Sequence, residues 1–393
     1  MFTSSKQFAI FTITSAAILG RERYRKEEHA LRRHRRSKAA QTAVRIGGLL
    51  AIVMMLASCN GGQGKSMKVI EPPSPSKQDQ IKLDRIDRLD GWYGYGWLSE
   101  QEMLGAANFS PHTVVNRRNV QTGQWTPASI AAAAEIKVSP DTRHAVVLRY
   151  DTGVLEIAGL TGNTPSPLRL TVGEGGLSYL ISGTQGSWAD EAEYYTPVVQ
   201  NRNGVQTYGV AAIAVNGAIR YMDIPGTNEP IRKVEARNGT MFVLDASLRL
   251  LRVGADGQDS IILRRGVADF SLSPDGKRLA VAEQSGTNEE ALSMISAEQP
   301  DADGQLVTTG RLLRQPAWSP DGGKLAFAVL SLSRGLSGLY VMDAGTGAMS
   351  QVGSTPNLEV PIIWDPAGKQ LMVSEARSEG PKGQPSTTIY RLK

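Results

Sequence analysis

The chain has 393 residues, 41% of them hydrophobic and 21% charged, with a formal net charge of +5 and a single cysteine. That length suits one large domain or two ordinary ones, and one cysteine excludes an internal disulfide framework. Residues 1–45 carry 11 Lys or Arg against 3 Asp or Glu, so the remainder is at −3. Nothing in that balance supports nucleic-acid binding, which would want a basic face on the folded domain.

In chain order the first feature is a leader. A cationic run, Arg32-Arg33-His34-Arg35-Arg36-Ser37-Lys38, precedes an uncharged apolar run from Ile46 to Met55. These read as the n-region and h-region of a signal peptide, and the apolar run is shorter than the roughly 20 residues that span a bilayer. Leu56-Ala57-Ser58-Cys59 closes the run and resembles the cleavage box of bacterial lipoproteins. The resemblance implies that Cys59 carries a diacylglycerol and usually a palmitate, that residues 1–58 are removed, and that Cys59 becomes the mature N-terminus. The leader is unusually long and holds a second apolar run from Phe8 to Gly20, as expected if the true start lies near Leu31.

Gly61-Gly62-Gln63-Gly64-Lys65-Ser66 has the tail of a phosphate-binding loop, G-x-x-x-x-G-K-[ST]. Its spacing puts Cys59 where the first glycine belongs, and Pro72, Pro73 and Pro75 forbid the helix that would hold phosphate. No nucleotide is expected. Residues 59–80 read instead as a lipidated cysteine and a flexible Gly, Ser, Pro, Lys and Gln tether. With about 0.8 kcal/mol per buried methylene, more than one acyl chain on Cys59 would hold the protein at the membrane.

Residues 81–393 form the folded domain. Ile81 to Leu89 reads as a strand. Asp90-Gly91-Trp92-Tyr93-Gly94-Tyr95-Gly96-Trp97 then alternates aromatics with glycine. Trp92, Tyr93 and Tyr95 either line a binding surface, since Tyr and Trp are favoured contact residues, or belong to an inner strand whose glycines permit crowding. Glu191 to Tyr195 poses the same choice.

An internal repeat organises the rest. Leu272-Ser273-Pro274-Asp275-Gly276-Lys277-Arg278-Leu279-Ala280-Val281 recurs from Trp318 to Phe327 and, as Trp364-Asp365-Pro366-Ala367-Gly368, from Trp364 to Val373, starting every 46 residues. Weaker copies start at Val138, Trp97 and Trp188, and another centres on Asn238-Gly239. Pro-Asp-Gly is turn chemistry, because proline presets φ, Asp caps the turn and Gly takes positive φ. Short apolar runs of strand length flank each turn, and four short strands every 40–50 residues or so are the pattern of propeller blades. Trp97, Trp188, Trp318 and Trp364 share one repeat position, so they are expected to pack between blades.

The pattern W-S-P-D-G-x-x-L-A-F resembles the TolB-type, WD40-like propeller repeat across about residues 80–393. With the lipoprotein box, the chain is similar to the envelope-anchored propeller lipoproteins of Gram-positive bacteria, such as the YqgU-like group. The expected fold is therefore an all-β propeller of four-stranded blades. Seven turn copies predict seven blades; six is the alternative, because the copies at Trp97 and Asn238 are the weakest. The last copy is followed by only two strands, so the segment from Ile81 to Leu89 is expected to supply its outer strand and close the ring.

The chemistry-bearing residues are sparse. Of four histidines, His29 and His34 lie in the leader, while His112 and His144 sit in unrelated blades. No His-x-x-x-His, H-E-x-x-H or G-x-S-x-G occurs. Asp301-Ala302-Asp303-Gly304 is half of a calcium-loop pattern and reads as a turn. Asp141, Asp275 and Asp321 fall at equivalent turns of separate blades. The sequence thus predicts a non-catalytic lipoprotein on the extracytoplasmic face of the cell membrane, without metal or cofactor, whose propeller binds an envelope protein. The alternative is a glycan- or small-molecule-binding, or enzymatic, propeller acting through its central funnel. Changing Cys59 to Ala is expected to leave the propeller folded and move it from the membrane to the soluble fraction after carbonate washing; retention in the membrane would defeat the lipid-anchor reading.

Overall fold

A computed structural model describes residues 81–107, 113–131, 135–149, 154–161, 168–169, 177–179, 185–202, 205–254, 256–300, 304–333, 335–376 and 384–393. The leader and tether, with Leu56, Ala57, Ser58 and Cys59, lie outside the described residues, as do His112 and Asp301 to Asp303. Among the described residues there is no helix and no segment able to cross a membrane as one.

Strand β1 (Leu83–Asp90) is followed by a sheet of β2 (Tyr93–Trp97), β3 (Glu102–Ala106), β4 (Val114–Asn119) and β5 (Trp125–Ala131). A second holds β6 (Glu135–Val138), β7 (His144–Arg149), β8 (Val154–Gly159) and β9 (Leu168–Arg169). In the third, β10 (Leu177–Tyr179) and β11 (Ser187–Trp188) share the inner edge of β12 (Glu193–Arg202), which leads to β13 (Val205–Ala214) and β14 (Ile219–Asp223). The fourth runs β15 (Ile231–Arg237), β16 (Thr240–Asp245), β17 (Arg249–Gly254) and β18 (Ser260–Arg265).

Next comes a continuous sheet of β19 (Val267–Leu272), β20 (Arg278–Gly286), β21 (Glu289–Ser296), β22 (Gln305–Trp318), β23 (Lys324–Leu332), β24 (Gly338–Asp343) and β25 (Met349–Gly353). Its 14-residue β22 pairs with β21 through its first half and with β23 through its second, joining two four-stranded halves. Finally β26 (Ile362–Trp364), β27 (Gln370–Ala376) and β28 (Pro385–Leu392) form a sheet whose outer strand is β1, paired antiparallel from Leu83↔Leu392 to Asp90↔Ser386. Ile81 is buried between this sheet and β23–β24, beside Val341, Trp364 and Tyr390.

The core is divided rather than central. Most hydrophobic clusters are shared by two successive sheets, and one lies between the two halves of the continuous sheet. Tyr95, Leu104 and Val115 of one sheet meet Ile136, Ala145 and Val147 of the next. Trp92, Trp97 and Met103 in turn meet Met372 and Ile389, joining the first of these sheets to the last. Across the seams, tryptophan indoles donate to backbone carbonyls of the preceding sheet or, for Trp318, of the preceding half of the continuous sheet. Trp188 Nε1 reaches Lys137 O at 3.0 Å, Trp318 reaches Ser271 O at 3.1 Å, and Trp364 reaches Ala317 O at 2.9 Å. Trp97 reaches Ile363 O at 3.3 Å, across the junction of first and last sheets.

The repeated turns are built alike. Ser273 and Ser319 donate Oγ–H to Asp275 and Asp321 Oδ1 at 2.5 Å and accept from the Arg278 and Lys324 N–H at 2.9 and 2.8 Å. Those hydroxyl donors hold both carboxyl groups below the ordinary carboxylate value, against a partial desolvation that pushes the other way. At the third copy the buried Asp365 replaces serine and accepts from the Lys369 and Gln370 N–H. The glycine position has positive φ throughout: 73° at Gly276, 68° at Gly322 and 65° at Gly368. At the copy following Val138 it is Thr142, at 61°. A β-branched residue is strained there. Thr142→Gly is expected to stabilise the protein by about 0.5–1 kcal/mol, the relieved strain outweighing glycine's extra chain entropy; a lower urea midpoint would contradict this.

Candidate functional site

All the first strands converge on one axis, because every sheet turns the start of its repeat inward and hands the chain to the next sheet at its outer edge. Between them lies a cavity of about 500 Å³ that receives Tyr95, Val138, Trp188, Leu272, Trp318 and Trp364 from six different inner strands. Its mouth is the turn side, where Pro140, Pro274, Pro320 and Pro366 stand around it. Proline's fixed φ and the Ser–Asp bond beneath three of these turns make the rim rigid. Side chains also link turn to turn: Asn238 donates to Asp275 O, Arg278 to Gly322 O, Lys324 to Gly368 O and Gln370 to Glu100 O, at 2.7–3.2 Å. Lys137, Glu235 and Arg237 supply charge among the apolar walls, and Arg237 is held by the Ala189 carbonyl.

At the waist sits a buried ion cluster. Lys233 donates to Asp269 at 3.0 Å and to the Phe270 carbonyl at 2.5 Å, lies 3.2 Å from Glu235, and stands over the Phe270 ring. Burial alone would lower the lysine pKa, but Asp269 and Glu235 overcome it and hold the value raised, so Lys233 stays charged. Both carboxylates bind main chain as well: Glu235 accepts from Leu272 N at 2.7 Å, and Asp269 from Gln315 N at 2.7 Å. Gln315 is itself in the left-handed region, with φ of 55°.

Beyond the waist the axis opens on the opposite side, where each sheet receives its chain from the one before. A second cavity there, about 770 Å³, is lined by Arg232, Lys233, Asp269, Arg314, Gln315 and Glu359 among others. Arg314 is paired with Glu290 at 2.6 Å.

For the aromatic stretch the structure selects the packing alternative. Trp92, 3% exposed, lies beneath Arg118, with its Nε1 so close to Gly105 that a Cβ there would stand 2.4 Å from it. Tyr95, 6% exposed, packs edge-on against half-buried Tyr93 with ring centroids 5.1 Å apart. Burial, aided by Glu135, pushes the Tyr93 phenol up to about 12, and burial raises Tyr95 as well, so both stay neutral. The intervening glycines serve close approach. A Cβ on Gly94 would meet Met372 and Ser374 at 3.1 and 3.2 Å, and one on Gly96 would stand 2.6 Å from Val138. Of the three aromatics only Tyr95 reaches the axial cavity. In the acidic-aromatic stretch, Tyr194 is buried against Trp188 and Tyr195 donates to Glu193 at 2.6 Å. Asp141, Asp275 and Asp321 stand at separate turns, each with its own serine. Among the described residues no group of three or more His, Cys, Asp or Glu could hold a metal ion.

Sequence reasoning did not single out Lys233, Glu235, Asp269 or Gln315. Lys233 and Asp269 are 36 residues apart and belong to no motif. The inner strand of Lys233 and Glu235 begins Ile231-Arg232-Lys233-Val234-Glu235, three charges in five residues, so nothing local tells which charge is the buried one.

This geometry defines a β-propeller, and specifically a TolB-like one. No family model matches the chain. It is 32% identical over 81 residues to the Tol-Pal system protein TolB of Alcanivorax borkumensis, covering 20% of this chain and 18% of that protein. It is 26% identical over 175 residues to the TolB of Xylella fastidiosa strain M12, covering 44% and 31%. The alignments thus span less than a third of these relatives. Among solved structures, oligogalacturonate lyase in complex with manganese superposes with a TM-score of 0.56 at 12% identity, covering 80% of this chain and 97% of that one. At that identity the likeness concerns the fold alone.

Replacing Lys233 with Met would strand Asp269 and Glu235 as buried, uncompensated charges. The expected cost is about 3–5 kcal/mol in chemical denaturation. A loss under about 1 kcal/mol would show that the cluster is not what joins β15 to β19.

Proposed function

We propose that this protein is a lipid-anchored, non-catalytic propeller of the bacterial cell envelope that binds another envelope protein at its turn-side mouth. The propeller has seven four-stranded blades, two of them sharing β22, and β1 completes the last blade so that chain start and chain end are stitched together. The observation that carries the binding reading is the mouth itself. Proline-bearing turns and tryptophan edges surround an apolar cavity of about 500 Å³, and the turns are fixed by internal bonds before anything binds. A preorganised rim loses little conformational entropy on association, and buried aromatic pockets are where protein partners place their anchors. The TolB relatives, named for the Tol-Pal system, support an envelope setting and an assembly role. The Leu56-Ala57-Ser58-Cys59 box supports the anchor.

The test is photo-crosslinking in living cells from a probe at Lys277, beside the mouth, with the Cys59→Ala form as control. A single dominant envelope protein captured by the anchored form and lost from the released form is expected. No captured protein above background, or the same capture from an outer-strand probe at Ile261, would remove the proposal.

A further inference from the structure

We propose that the second axial mouth, on the side away from the Pro-Asp-Gly turns, binds a short peptide with free termini. This site meets the turn-side cavity only at Gln185, Lys233 and Gln315, and it stands whether or not that mouth holds a protein. Its volume, about 770 Å³, is in the range of small-molecule sites.

The charges in this mouth sort into committed and uncommitted ones. Lys233 is paired with both Asp269 and Glu235, and Arg314 with Glu290. Arg232 and Glu359 remain, both exposed, and neither has an ion-pair or hydrogen-bond partner for its charged group among the described residues. Arg232 is the second residue of β15, while Glu359 precedes β26, three inner strands further round the cycle. A cavity that gathers one uncommitted cation and one uncommitted anion from different sheets suits a zwitterion. Its carboxylate would meet the guanidinium and its ammonium the Glu359 carboxylate. The cavity is also lined by the side-chain amides of Gln185, Gln315 and Asn357. Gln315 Nε2 donates to Leu358 O and Asn357 Oδ1 accepts from Glu359 N, which leaves the Gln315 amide oxygen and the Asn357 amide nitrogen for peptide groups.

The lip of the same mouth carries an independent sign of function. Leu312 and Gln315 both have positive φ, 53° and 55°, and both line the cavity. Two carboxylates hold the strained segment between them: Glu290 accepts from Leu313 N at 2.8 Å and Asp269 from Gln315 N at 2.7 Å. The result keeps Leu312, a large apolar side chain, 39% exposed at the lip. Strain of this kind costs on the order of 1–3 kcal/mol per residue and persists where a site is preorganised. Here it presents an apolar contact for a ligand side chain beside its polar grips.

The experiment is calorimetric titration of the full chain with tri-alanine, N-acetyl-tri-alanine and tri-alanine amide. Tri-alanine is expected to bind, and each blocked form about tenfold or more weaker, since each loses one charge-assisted contact. Arg232→Gln should erase the difference between tri-alanine and its amide while keeping the penalty for acetylation. Glu359→Gln should do the reverse. Both positions are on the surface, and the blocked peptides test the idea on the unaltered chain. Equal affinity for all three peptides, no heat with tri-alanine at millimolar concentration, or variants that leave both penalties in place would overturn the proposal.

Discussion

Four tryptophans at one repeat position hold neighbouring four-stranded units together by giving an indole hydrogen to the inner strand before them. The constraint behind this is that a small antiparallel sheet has two apolar faces and cannot cover either one itself. Stacking sheets around an axis buries both, at the cost of bringing main-chain carbonyls of the inner strand into a dry seam. An unpaired buried carbonyl costs about as much as a lost hydrogen bond. Tryptophan answers both needs, because its large apolar body fills the seam and its one polar atom is a donor.

That seam decides where function can reside. With the tryptophans facing between sheets and their edges toward the axis, the turn-side mouth becomes apolar and rigid. The opposite mouth is built from chain crossovers, which carry polar and charged residues, so the two ends of one axis differ in chemistry. The Lys233 cluster at the waist belongs to both and ties three inner strands together through the Leu272 and Gln315 amides. Buried ion clusters are weak stabilisers compared with apolar residues of the same size. Their worth here is geometric, since they fix the strained run from Leu312 to Gln315.

The outer rim poses the opposite problem, because an outer strand leaves a row of unpaired amides. β1 meets it with charge. Arg85 pairs with Asp87, Arg88 with Asp90 and Lys393 with Asp84, while Arg391 of β28 reaches Asp87 at 2.7 Å. Such a strand is poorly suited to pairing with another chain. The buried Ile81 just before it and its pairing with β28, continuous from Arg85 to Asp90, bind it to the fold from the side that matters.

Much of this was legible in the repeat. The spacing of Leu272, Trp318 and Trp364, the Pro-Asp-Gly turns and the recurrent tryptophan are local patterns of short range, and they determined strand order, turn geometry and the all-β class. Pattern alone left the stretch from Trp92 to Trp97 open between surface and core, because alternating aromatics and glycines suit either. The neighbours that decide it, Met372, Ser374 and Val138, come from two other sheets. The Lys233–Asp269–Glu235 cluster and the meeting of Arg232 and Glu359 in one cavity were not legible at all. Each unites residues on different strands, and no local signal marks a charge whose partner arrives from another sheet. Sequence by itself determined the repeating unit, since turns and strands are chosen by neighbouring residues. Only the tertiary structure decided what the axis contains, because the axis is made where one residue from each unit meets the others.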